Sequence, residues 1–212
     1  MKRESAFLKI KPEQKKTFEN VIWAAAPYID EKCEELGLGN CSVWSVEDRV
    51  YFYAQSAGDR GLKDIMDAYS REIGLYLDVV AYPEDTRLMY HDIGEERQDK
   101  SLIRRRVFAT VLKDGCADEY FRRHEALINA RGGDTFGKES NFTIRCAENK
   151  YIFGYCEIVK ALDTPPTPEE QAASDAWETR QLEIMDWLTD DVDYLTGESH
   201  EKMRCLFQQR GY

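Results

Sequence analysis

Two stretches of the chain alternate between apolar and polar residues in the same order. Residues 40–53 overlay residues 141–154 without a gap. Asn40-Cys41-Ser42-Val43 stands against Asn141-Phe142-Thr143-Ile144, Glu47-Asp48-Arg49 against Glu148-Asn149-Lys150, and Tyr51-Phe52-Tyr53 against Ile152-Phe153-Gly154. A period of two marks strands, and a polar turn between two such runs predicts a β-hairpin in each copy. Ahead of each hairpin lie a short apolar strand, over 6–10 and 107–112, and then a helix. The first helix spans about 13–36, with Pro27 either kinking or dividing it. Its counterpart spans about 116–130 and stops near Gly132-Gly133.

After each hairpin the pattern predicts a second helix, over about 61–76 and 168–188. Pro165-Pro166-Thr167-Pro168 gives the latter a rigid entry, and Glu169-Glu170 suits the dipole of its first turn. A closing strand follows in each copy, over 87–91 and 204–208. The order β-α-β-β-α-β is ferredoxin-like, and a repeat this long is a duplicated domain rather than a solenoid unit. The expected fold class is α+β, with tandem ferredoxin-like repeats over 1–97 and 98–212 joined by a polar linker. Helices on one side of a four-stranded sheet leave its other face bare, and the second sheet is the natural cover. Two such sheets packed together would make a dimeric α/β barrel inside one chain, which would then be a monomer.

Composition narrows the partners. The formal net charge of -11 repels nucleic-acid backbones and anionic membranes. Arg104-Arg105-Arg106 is the one dense basic cluster and reads as a solvated strand edge. No apolar run is long enough to cross a bilayer and the first residues show no signal-peptide pattern, so a cytoplasmic setting is expected. The six cysteines show no C-x-x-C spacing, which fits reduced thiols. No zinc, calcium or dinucleotide motif is present, so neither metal nor cofactor is expected. A neutral or cationic small molecule, or a protein, is the better partner.

Three histidines can be weighed singly. His91 ends a strand and His200 sits in a polar loop; both read as solvated. His124 lies one helical turn beyond Tyr120, so phenol and imidazole share a helix face. An imidazole titrates near neutrality and can carry a proton, while a phenol beside it can hold a hydroxyl. The same spacing also serves an ordinary structural pair.

The second copy resembles the L-rhamnose mutarotase family, in which a short strand leads into a helix bearing Glu-Tyr-x-Arg-Arg-His. Here the motif stands as Glu119-Tyr120-Phe121-Arg122-Arg123-His124, at the matching distance after Phe108, and the hairpin over 141–157 is similar too. The resemblance implies an isomerase that interconverts sugar anomers without a cofactor, His124 acting as acid/base beside Tyr120 on a monosaccharide. The family's Trp-Trp pair is replaced by Asp186-Trp187, leaving Trp187 as either the sugar-stacking residue or core; Trp177 reads equally as packing. In the first copy Phe18 and Ile22 (or, read without a gap, Glu19 and Trp23) occupy the motif positions, so that copy lacks the proton-transfer pair. Two other readings stand beside a mutarotase: a non-catalytic sugar-binding or structural module, and a different enzyme on the same architecture.

Overall fold

The computed structural model describes residues 1–130, 138–188 and 202–212, the side chains of Trp187 and Leu188 excepted. The fold is mixed α+β, with two five-stranded antiparallel sheets. The chain forms two compact units, Met1–Thr86 with Met203–Tyr212, and Arg87–Lys202.

In the first unit, β1 (Lys2–Ile10) is followed by α1 (Lys15–Leu36), the hairpin β2 (Leu38–Val46) and β3 (Arg49–Ser56), the short helices α2 (Leu62–Ala68) and α3 (Ser70–Ile73), and β4 (Leu77–Ala81). α1 runs through Pro27 unbroken. That residue is exposed, so the carbonyl freed by its missing N–H faces the solvent side. Gly37, at φ 66°, ends the helix and sends its N–H to the carbonyls of Cys33 and Glu34, a left-handed cap that glycine adopts without strain.

The second unit opens with β5 (Arg87–Asp92). Then come β6 (Ile103–Leu112), α4 (Ala117–Ala130), the hairpin β7 (Glu139–Ala147) and β8 (Tyr151–Val159), α5 (Pro168–Gln181) and β9 (Met185–Leu188). Thr167 caps α5: its hydroxyl accepts from the Glu170 N–H at 3.2 Å while the Glu170 carboxylate accepts from the Thr167 N–H at 2.8 Å. Pro168 takes the first helical position, where its missing N–H costs nothing.

Strand order departs from expectation. The first sheet runs β10-β2-β3-β1-β4 and the second β5-β7-β8-β6-β9, where β10 is Arg204–Gln208. The strand expected to close the first copy pairs with β7 of the second unit, and the one expected to close the second pairs with β2 of the first. The places next to β1 and β6 go to β4 and β9, within stretches read as loop and as the end of a helix. The compact units therefore do not divide at residue 97. Side-chain chemistry in the first unit explains why β10 belongs there. Buried Glu19 accepts from Arg204 at 3.0 Å and buried Asp30 from the Arg210 N–H at 2.9 Å. Gln209 Oε1 accepts from the Cys41 N–H at 3.0 Å.

The two hairpins share an irregularity. Asn40 and Asn141 have φ of 52° and 54°, and at each the register of the hairpin shifts. On each first strand two residues face one on the second, a β-bulge in which Asn tolerates the left-handed backbone. The turns differ. Val46 pairs with Arg49 but Ala147 with Tyr151, so the second turn holds one residue more and the gapless overlay slips there. By register Tyr53 matches Tyr155, Gln55 matches Glu157, and Phe52 matches Gly154.

Candidate functional site

A cavity of about 700 Å³ in the second unit is lined by residues of β5, β6, α4, β7, β8 and α5. Tyr120 and His124 both lie on its wall, and both are buried, at 2% and 6% exposure. Their rings sit 4.3 Å apart between centroids, as the i, i+4 spacing requires. His124 Nδ1 lies 3.0 Å from the Tyr120 carbonyl oxygen. A carbonyl only accepts, so Nδ1 donates, and in the neutral ring the lone pair is on Nε2.

Aromatic rings surround the imidazole. Trp177 meets it edge-on at 5.3 Å and Tyr90 at 5.7 Å, while Tyr90 packs on Phe142 at 4.9 Å and Phe142 on Phe108 at 6.2 Å. Phe108 faces Gly154 across β6 and β8. A Cβ at Gly154 would overlap the Phe108 ring, so the glycine lets that ring lie over the strand. Burial pushes the Tyr120 phenol well above its ordinary pKa, and the negative charge of Glu178 adds to the effect. Tyr120 therefore stays neutral.

Polar groups complete the lining. Arg104 and Arg106, read from sequence as a solvated edge, line the cavity with Phe108; residues two apart on a strand share a face, and that period was the available signal. Arg104 grips Asp163 through two hydrogen bonds of 2.6 and 3.1 Å. Glu178 and Gln181 project from α5. Neither was singled out from sequence, since polar residues on a polar helix carry no mark of the face they take. Tyr90 was missed because its strand was assigned to the other sheet.

Trp177, not singled out for the ligand, is on the cavity wall. The side chain of Trp187, the expected stacking residue, lies outside the described residues, as does all of His200. His91 is exposed. Phe18 and Ile22, at the motif positions of the first copy, belong to the hydrophobic core of the first unit. Among the described residues no group of three or more His, Cys, Asp or Glu could hold a metal ion, and no helix is long and apolar enough to cross a membrane.

No family model matches the sequence, and no curated protein does either. A solved structure described as "Crystal structure study of anthrone oxidase-like protein" aligns with 96% of this chain and 92% of its own, at 12% identity and a TM-score of 0.40. A likeness of that size carries no argument about the fold or chemistry of this chain.

Proposed function

We propose that the cavity of the second unit is an acid/base site that moves a proton between oxygen atoms of a ring-shaped substrate, with His124 as the carrier. The observation behind this reading is that His124 and Tyr120 share one buried helix face on the cavity wall, the imidazole held by the Tyr120 carbonyl. Mutarotation of a monosaccharide, the reaction implied by the resemblance to L-rhamnose mutarotases, uses that chemistry. His124 Nε2 takes the proton of the anomeric hydroxyl as the bond from the anomeric carbon to the ring oxygen breaks and the carbonyl forms. The imidazolium returns the same proton to the ring oxygen. Rotation of the open aldehyde and reversal of both transfers give the other anomer, and no electrons leave the substrate. Tyr120, neutral in its buried setting, holds a substrate oxygen by hydrogen bonding. Trp177 offers the flat face for the ring.

In the finer architecture of this reading, the chain is a duplication of one ferredoxin-like unit completed by exchanged outer strands. The matching strand orders and the shared bulge support it. The first copy then serves as scaffold, since Phe18 and Ile22 carry no proton.

Saturation-transfer NMR with catalytic amounts of protein and L-rhamnose, L-fucose or D-ribose tests the reaction. Faster anomer exchange for one sugar, lost in His124→Ala, is the expected result. Undiminished exchange in that variant removes His124 from the mechanism.

A second reading is favoured by the cavity itself. At about 700 Å³ it falls within the range of about 300–1,000 Å³ typical of sites for drug-sized ligands, and Tyr90, Phe108, Phe142 and Trp177 supply much of its wall. Such a wall fits a larger, flatter ring system, bound with or without turnover.

A further inference from the structure

We infer that Gln181 selects the ligand of this cavity, its amide reading a hydrogen-bond donor and acceptor placed side by side on the rim of a flat fused-ring compound. Gln181 is 2% exposed and lines the cavity, yet neither its Nε2 nor its Oε1 has a hydrogen-bond partner among the described residues. A primary amide carries two donors and a carbonyl acceptor. Burying all of them unmet is costly, and such groups in folded proteins are few. A ligand that meets both atoms at once recovers that cost.

The backbone on either side of Gln181 is held in place. Arg123, on α4, donates to the Arg180 carbonyl and pairs with Glu119 and Glu183, each at 2.9 Å. Lys113 Nζ donates to the carbonyls of Leu182 and Glu183 at 3.0 and 2.9 Å. The Gln181 carbonyl accepts from the Ile184 N–H at 2.9 Å. Two cations thus close the C-terminal end of α5, where the helix dipole favours positive charge. The backbone that carries Gln181 is fixed before any ligand arrives.

The complement of an amide edge is an N–H or O–H beside a carbonyl, as in a lactam or a hydroxy-ketone. The aromatic walls select the flat ring that bears it. This inference rests on the larger-ring reading of the cavity and not on proton transfer at His124.

Calorimetric titration of the full chain with 2-quinolone, 1-methyl-2-quinolone and naphthalene tests it. The first presents donor and acceptor, the second has the donor blocked, and the third has neither; 4-methyl-2-quinolone controls for bulk. The wild-type chain is expected to bind 2-quinolone and its 4-methyl analogue at least about tenfold more tightly than the other two. Gln181→Met should erase that preference while holding or raising Tm, because it removes two unmet polar atoms. If all four bind alike, or none binds, the inference is overturned. A Gln181→Met protein that keeps the preference and melts earlier makes the amide a structural group, and overturns it as well. Anomer exchange in the wild-type chain reports on the catalytic reading separately, so its failure alone would leave this binding pattern standing.

Discussion

Phe108 and Gly154 face each other across β6 and β8, and Ala6 and Phe52 hold the matching places across β1 and β3. Each pair sets one ring against one small residue, with the ring on opposite strands in the two units. In the second unit it lies on the cavity wall; in the first, Phe52 is part of the core. Gly154→Ala is expected to force the Phe108 ring aside and to destabilise the chain by about 1–3 kcal/mol, as overpacking does. Urea denaturation would measure the loss, and an unchanged midpoint would show that the ring gives way freely. At this scale the sequence exposed the Tyr120/His124 pair, because helical spacing alone puts both on one face. It could not expose Gln181, whose meaning depends on where α5 ends and on what its amide fails to meet.

At the scale of elements, periodicity found the hairpins and the long helices, where many residues repeat one pattern. It missed β4 and β9, of five and four residues, too short for alternation to stand out. It also gave β5 and β10 to the wrong sheets, since a strand's pattern names its buried face and never its neighbour. The attachment of β10 yields a prediction. Deleting Met203–Tyr212 removes the cations beside Glu19 and Asp30 and the acceptor for the Cys41 N–H. Leu206 and Phe207, buried in the core of the first unit, go with them, and the burial of each is worth about 1.5–3 kcal/mol. The truncated chain should therefore lose urea stability, with amide exchange rising in β2 while β7 stays protected. Equal protection in both strands would mean that β10 contributes little.

For the whole molecule, buried acids set the response to alkali. Burial raises the Cys146 thiol to about 12. The Cys41 thiol is pushed well up, first by its hydrogen bond with Cys33 and then by burial. Tyr120 is raised as described. All three hold their protons more tightly when folded, so above pH ~8.5, where an unfolded thiol begins to ionise, the folded chain binds more protons and stability falls as pH rises. Each group adds at most about 1.4 kcal/mol per pH unit between its unfolded and folded pKa. Urea midpoints from pH 8 to 11 should fall steadily, and Cys146→Ala should flatten the slope whatever it does to the stability at pH 8. A slope unaltered by that substitution would show that Cys146 ionises alike in both states.

The sequence by itself determined which segments become the long strands and helices, and which helix pairs an imidazole with a phenol, because those properties are local and repeat along the chain. It also marked the two hairpins as counterparts through Asn40 and Asn141, whose left-handed backbone is a local demand. Only the tertiary structure decided that residues 203–212 complete the first unit, and that Tyr90, Arg106, Trp177 and Gln181 share a wall with His124. Strand partners and cavity walls are chosen by contacts between residues far apart in the chain. No single segment carries the pattern that specifies them.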